Sequence, residues 1–242
     1  KQVLIENPDD IAGLIIEPIQ GEGGDNHFRC RFFEKLRALA DENEFLLIYD
    51  EVQTGVGITG KMWAHQHFTP SLCPCDKTIE KEPLPDIIAF GKKAQVCGLL
   101  AGKRVEEVDS HVFSESSRIN STWGGNLTDM VRFKIILEII EKENLLSNAT
   151  KMGDLLLLEI QHLCEEFPAF ITNARGRGLF AAFDLPSQTE RDNLINKLHE
   201  NKLLILPSGD ESIRFRPHLN VTREDLLQGM EIIKSTVKNV LN

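Results

Sequence analysis

The chain has 242 residues, 41% of them hydrophobic and 26% charged, ordinary usage for one large globular domain or two small ones. Its 27 basic and 37 acidic residues leave a net charge of −10, which argues against coating a nucleic acid or an anionic membrane, because phosphate binding draws on an excess of Lys and Arg. No apolar stretch reaches the length of a membrane span, and Lys1 to Glu6 contains no secretory apolar region.

Leu14-Ile15-Ile16 is a short apolar run ended by Glu17-Pro18 and followed by the loop Gly21-Glu22-Gly23-Gly24. Phe28, Phe32, Phe33, Leu36, Leu39 and Ala40 then recur at helical spacing. Phe45 to Tyr49 reads as a buried strand that stops at Asp50-Glu51, and Asp86 to Phe90 as another that stops at Gly91-Lys92-Lys93. Continuous apolar strands separated by helices predict a parallel sheet covered on both faces. In such sheets ligands sit beyond the carboxyl ends of the strands, and those ends carry Glu17, Asp50 and Lys92. Singly, each polar residue is explained as a strand terminator; together they outline a site.

Residues 69–85, with Thr69-Pro70-Ser71, Cys73-Pro74-Cys75 and a charged run before Pro83, read as a long surface loop. Asn126 to Lys142 is predicted helical, with Met130, Phe133, Ile136, Leu137 and Ile140 on one face. Leu145 to Phe167 is a second helix, stopped by Pro168. The remainder reads as α+β. A turn at Arg175-Gly176-Arg177 precedes a strand from Gly178 to Phe183, and Ser187 with Glu190 is a capping-box signal opening a helix to about Asn201. Leu203 to Leu206 and Ser212 to Phe215 are short strands, and Leu226, Leu227, Met230, Ile233, Val237 and Val240 form the stripe of a terminal helix. There is no internal repeat.

Cys30, Cys73, Cys75, Cys97 and Cys164 form no C-x-x-C pair, and their odd count and wide spacing do not resemble a disulfide framework. A reducing, cytoplasmic setting is the expectation. Cys73 and Cys75, with His65 and His67 nearby in sequence, are too few clear ligands for a zinc site, and no metal is expected.

Two chemistries compete for the strand-end residues. Gly55 to Lys61 fits the P-loop pattern G-x-x-x-x-G-K, but Met62 stands where a P-loop needs Ser or Thr, and no strand-to-helix context surrounds it. The alternative is an acid and a lysine on neighbouring strand ends. A pyridinium nitrogen needs a carboxylate partner, and a carbonyl cofactor needs an amine for its Schiff base. Asp50 and Lys92 supply both.

Glu17-Pro18-Ile19-Gln20-Gly21-Glu22-Gly23-Gly24, Asp50-Glu51-Val52-Gln53-Thr54-Gly55 and Phe90-Gly91-Lys92-Lys93 resemble the pyridoxal-phosphate aminotransferases of class III, fold type I. Glu17 to Gln20 with Gly23-Gly24-Asp25 is similar to the 4-aminobutyrate aminotransferase branch. Gln95 to Gly98 and Arg118 to Met130 are most similar to the lysine ε-aminotransferases within it. The resemblance covers essentially the whole chain; the 69–85 insertion and its cysteine pair depart from it.

The resemblance implies an α/β fold: residues 1–125 as the C-terminal part of the large cofactor-binding domain, with a partial, mainly parallel sheet, and 126–242 as a connecting helix and small α+β domain. It implies a preceding segment carrying the cofactor's phosphate loop, so the chain is expected to be the C-terminal part of an enzyme and inactive alone. Lys92 is implied as the Schiff-base lysine and proton carrier, in preference to Lys93, and Asp50 as the partner of the pyridine nitrogen. Val52 would pack on the ring, Gln53 lie near its hydroxyl, and Glu17 belong to the same cofactor set. Thr122 with Asn120 would reach the phosphate across a homodimer interface, giving shared active sites. Glu22 and Arg214 are implied as a substrate-dependent pair, with Arg214 and Arg216 on one strand face. The implied reaction moves the ε-amino group of L-lysine to 2-oxoglutarate, giving 2-aminoadipate 6-semialdehyde and glutamate in lysine degradation. 4-Aminobutyrate or another ω-amino acid would need the same parts.

Overall fold

The computed structural model describes residues 1–69, 82–119 and 122–241. Contacts divide the chain into two compact units. One comprises Lys1–Pro18, Phe28–Gly55 and Trp63–Glu138; the other comprises Ile19–His27, Val56–Met62 and Ile139–Asn242. Two short excursions from the first half of the sequence therefore fold with the second.

In the first unit, a short helix α1 (Gln2–Glu6) precedes β1 (Gly13–Ile16), α2 (Cys30–Glu42), β2 (Leu46–Asp50), β3 (Ile87–Phe90) and β4 (Gly98–Ala101). The sheet order is β1-β2-β3-β4. β1, β2 and β3 are parallel, as their apolar runs predict, and β4 turns back antiparallel to β3. Strand β4 escaped the sequence reading because Gly98-Leu99-Leu100-Ala101 is short and its outward-facing leucines give no alternation. One side of β2 packs against α2: Phe33 stacks on Phe68 at 4.3 Å and meets Tyr49 edge-on at 5.4 Å. Coverage of both faces is incomplete among the described residues, since Ile15 on β1 remains 64% exposed.

The register of β2 against β3 is fixed by a buried ion pair. Asp86, just before β3, accepts from Arg37 of α2 at 2.9 Å and from the Leu47 amide of β2 at 2.7 Å. A buried carboxylate is tolerated because each charge has a hydrogen-bonded partner. Cys30, at the start of α2, is disulfide-bonded, whereas Cys97 and Cys164 are free. This corrects the expectation of a chain without disulfides: linear spacing does not reveal which thiols a fold brings together. Cys73 and Cys75 lie outside the described residues.

Helix α3 (Leu127–Lys142) crosses from the first unit into the second. The Asn126 side chain accepts the Thr128 amide at 2.8 Å and caps its start. Of the predicted apolar face, Ile140 is buried but Met130 is 51% exposed, as are Leu127, Val131 and Ile135 to similar or greater degrees.

The second unit contains α4 (Leu145–Glu166), β5 (Thr172–Arg177), β6 (Phe180–Asp184), α5 (Gln188–Glu200), β7 (Leu206–Ser208), β8 (Ser212–Phe215) and α6 (Arg223–Leu241). Its antiparallel sheet runs β5-β6-β8-β7. The capping box holds, with Ser187 accepting the Glu190 amide at 3.3 Å and donating to its carboxylate at 2.9 Å. The predicted turn at Arg175-Gly176-Arg177 is instead strand, and the turn falls at Gly178, whose φ is +56°. Gly176 serves close cross-strand approach, since a Cβ there would meet that of Ala181 at 2.8 Å. The strand expected at Leu203–Leu206 begins only at Leu206.

Central strand β6 is buried on both faces, Phe180 to Phe183 being fully covered. Helices α4 and α5 lie against this sheet's elements, and the two excursions complete the unit: the Leu179 amide donates to Ile58 at 2.9 Å, and His27 meets Phe180 edge-on. Among the described residues no helix is long and apolar enough to cross a membrane.

Gly153 of α4 lies directly on the β5–β6 turn, where a Cβ would fall 2.2 Å from the carbonyl carbon of Gly178. Backbone there cannot swing aside as a side-chain tip does. Gly153→Ala is expected to destabilise by about 1–3 kcal/mol, the cost of overpacking, read as a lower urea midpoint at unchanged slope.

Candidate active site

Because β1, β2 and β3 are parallel neighbours, their carboxyl ends share one edge of the sheet. Glu17 follows β1, Asp50 ends β2, and Lys92 stands two residues after β3. The strand pleat sorts the residues around Asp50. Tyr49 and Glu51 point inward and are fully buried, whereas Asp50 between them is half-buried. Burial pushes the Tyr49 phenol up, and its hydroxyl donates to the Pro83 carbonyl at 2.8 Å.

The Glu51 carboxylate receives four contacts: Thr54 hydroxyl at 2.6 Å, Ala64 amide at 2.8 Å, His65 amide at 2.9 Å and His65 Nδ1 at 2.9 Å. Its own amide still donates to Ala89 of β3. Glu51 therefore fixes the chain that follows Asp50 and carries Val52 and Gln53. Asp50 Oδ1 accepts the Val52 amide at 3.0 Å, and Oδ2 has no partner among the described residues. Val52 lies beside Gly91, where a Cβ would meet Val52 Cγ1 at 3.7 Å.

The two adjacent lysines differ. Lys93 donates to the Gln53 carbonyl at 2.8 Å. Lys92 is exposed, and its amine has no hydrogen bond or ion pair among the described residues. Its φ of +46° is left-handed, a conformation that costs a non-glycine residue energy and collects at functional sites. Thr122 is exposed in the turn before α3 without a hydrogen bond of its own among the described residues; Asn120 lies outside them.

The Gly55–Lys61 pattern does not build a phosphate loop. It runs as consecutive turns leaving the carboxyl end of β2, with no α-helix opening at Lys61. The P-loop alternative is thereby set aside.

The second unit holds the other predicted pair. Arg214 on β8 donates to Glu22 at 2.6 Å; Glu22 is 67% exposed and Arg214 11%. Arg214 Nε is buried without a partner among the described residues. Two positions along, Arg216 pairs with the wholly buried Asp25 at 2.7 Å and covers the Phe180 ring. Arg214 and Arg216 thus face the same 21–25 turn, as strand alternation predicted.

These motifs mark a known family. The sequence matches the class-III aminotransferase family over residues 1–237. The chain belongs to the class-III aminotransferases. It is 48% identical over 230 residues to the L-lysine-epsilon aminotransferase of Mycobacterium tuberculosis, covering 95% of this chain and 48% of that protein. It is 37% identical over 209 residues to the mitochondrial 4-aminobutyrate aminotransferase of Sus scrofa, covering 86% and 38%. The solved lysine aminotransferase from M. tuberculosis in the internal aldimine form superposes with a TM-score of 0.91 at 46% identity, over 99% of this chain and 52% of that one. This class-III chain spans about half the length of the curated relatives it matches.

The sequence carries no signal for the Glu51 anchor or for the pairing of Asp25 with Arg216, which joins positions far apart in the chain. His27 belongs to the same cluster. Burial first, then Arg177, Arg175 and Arg216, lower its pKa to about 3. Between that value and the ordinary 6.5, the folded class-III chain holds fewer protons than the unfolded one, so stability is lost as pH falls through this window. Asp25, whose carboxyl burial pushes up despite Arg216, acts in the opposite sense. His27→Phe is therefore compared with wild type at each pH: its urea midpoint is expected to fall less steeply between pH 6.5 and 4. Parallel profiles would remove His27 as the cause.

Proposed function

We propose that the chain serves a pyridoxal-phosphate-dependent transamination moving the ε-amino group of L-lysine to 2-oxoglutarate, with 2-aminoadipate 6-semialdehyde and glutamate as products. The observation that carries this reading is the pairing of unlike groups at one sheet edge: an exposed Lys92 in a left-handed backbone, its amine without a partner among the described residues, and a half-open Asp50 carboxylate. Those residues fit the cofactor. Asp50 retains an oxygen for a pyridinium N–H, and Lys92 has an amine for the aldehyde. Val52 offers an apolar face, with Gln53 and Glu17 completing the set. When bound, pyridoxal phosphate supplies an electron sink for the carbanion formed as the substrate loses a proton.

The rest is the work of this chain's residues. Asp50, held by the Val52 amide and followed by the anchored Glu51, would accept the hydrogen bond of the ring nitrogen. Lys92 takes up and returns the proton at the reacting carbon. Lys93 stays with Gln53. Lys92→Ala in the full-length enzyme is expected to lower the chemical step by at least about 10²–10⁴-fold, the general acid–base share alone, while Lys93→Ala keeps most of kcat. Equal losses would unseat Lys92.

Glu22 and Arg214 sort the substrates. Lysine presents an amine end without a carboxylate, whereas 2-oxoglutarate brings a carboxylate that suits a guanidinium fork. With Glu22 two-thirds exposed, its pair with Arg214 is worth only about 0–1 kcal/mol, so an incoming carboxylate displaces it at little cost. Glu22→Ala should slow the lysine half-reaction more than the 2-oxoglutarate half, and Arg214→Ala should weaken 2-oxoglutarate most. Single-turnover measurements of each half decide; matched losses in both halves would sink the pair's role.

The homodimer belongs to the same proposal, with Thr122 and Asn120 as the candidates to bind the partner's cofactor phosphate. It is supported by the exposed Trp123 and by the open apolar side of α3 at Leu127, Met130 and Val131, a surface that favours association. 4-Aminobutyrate is the second donor, favoured by the resemblance to the Sus scrofa enzyme.

A further inference from the structure

The turn carrying Glu22 is held more firmly than an exposed loop needs to be. All five carbonyls from Gly21 to Asp25 accept a hydrogen bond. Ser208 donates to Gly21 at 2.6 Å, the Gly209 amide to Glu22 at 2.8 Å, and Asn26 to Gly23 at 3.1 Å. The last two carbonyls share one donor residue: Arg175 Nη2 donates to Gly24 at 2.6 Å and Nε to Asp25 at 2.8 Å. Arg175 is itself fixed from behind by Asp184 at 2.7 Å and Ser212 at 2.8 Å, on the neighbouring strands of the sheet. Gly209 presses against the turn so closely that a Cβ there would lie 2.9 Å from the Gly24 Cα. Only the Glu22 side chain is left exposed.

We propose that Arg175 is a positioning residue for substrate selection: its two-pronged hold on the Gly24 and Asp25 carbonyls immobilises the 21–25 turn. Exchange of Glu22 for a substrate carboxylate on Arg214 then proceeds by rotation of one side chain, without opening the loop. This rests on the substrate-sorting role of Glu22 and Arg214. The geometry separates two tasks. Arg175 acts on backbone, through a planar fork that lysine does not reproduce, and Glu22 acts on the exchangeable ion pair. A freed turn would spend less time with Glu22 over Arg214, leaving that guanidinium uncompensated beside the lysine substrate.

Two measurements on the full-length holoenzyme test this. The first is amide hydrogen exchange. In Arg175→Gln and Arg175→Lys, the amides of Gly24, Asp25 and Gly209 are expected to exchange at least about tenfold faster, while amides of α4 and α6 keep their protection, since local opening is separable from global unfolding. Unchanged protection of the three, or equal loss throughout the unit, overturns the proposal. The second is a double-mutant cycle on the lysine half-reaction. Arg175→Gln should slow it about tenfold when Glu22 is present and less than twofold in the Glu22→Ala background, within the range of coupling shown by neighbouring residues. The same loss in both backgrounds overturns the proposal and marks Arg175 as structural only. Should Glu22→Ala alone leave the lysine half unchanged, the sorting role of Glu22 falls, and the exchange data still decide whether Arg175 holds the turn.

Discussion

The carboxyl edge of the first sheet depends on one buried carboxylate, that of Glu51. Its amide continues the ladder to β3 beyond the end of β2, and its side chain gathers donors from Thr54, Ala64 and His65. A buried anion is costly unless every lone pair is met, and hydrogen bonds to a charged group contribute about 1.5–3 kcal/mol each. The chain leaving β2 is thus tied at both ends of a short stretch. Asp50 and Val52, beside those ties, have little freedom left, which is what their proposed cofactor-facing role requires. The Asp86–Arg37 pair performs the matching service at the other end of the strands, where it sets β3 against β2.

Much of this was legible in the sequence, for definite reasons. Parallel strands are apolar throughout, so Leu14–Ile16, Phe45–Tyr49 and Asp86–Phe90 stand out, and each is ended by a polar residue that the fold places at a common edge. The ends of these three strands were accurate to within one residue. What escaped was information that spacing does not encode. Arg175-Gly176-Arg177 looks like a turn because glycine usually marks one, yet Gly176 is there for cross-strand contact and Gly178 supplies the left-handed residue. Cys30 gives no hint of a disulfide. The Asp25–Arg216 pair joins residues 191 positions apart, and no local pattern announces it.

The same limit applied to Glu51. Read in line, Asp50-Glu51 is a motif of two acids, and either is a candidate to face a ligand. Only the pleat, Tyr49 in, Asp50 out, Glu51 in, assigns them to different tasks. For Lys92 and Lys93 an order of preference came through resemblance. The structure adds a physical difference: one amine is spent on the Gln53 carbonyl and the other is not.

Two arginine–carboxylate pairs at the end of β8, separated by a single residue, illustrate how burial divides labour. Arg216 and Asp25 are removed from water, so burial shifts both toward their neutral forms, Arg216 down to about 10 and Asp25 upward. Arg216 nevertheless remains charged at neutral pH, and breaking a buried pair by removing one partner typically costs about 3–5 kcal/mol. Arg214 and Glu22 have the same chemistry at a similar distance, yet Glu22 stands mostly in water and the pair holds little energy. For the proposed substrate exchange, an interaction strong enough to locate the turn would be too strong to exchange, and one weak enough to exchange would not locate the turn. Placing the two pairs on one strand face, one beneath the turn and one at its surface, meets both requirements, and Arg175 extends the buried member's hold to the backbone on which Glu22 sits.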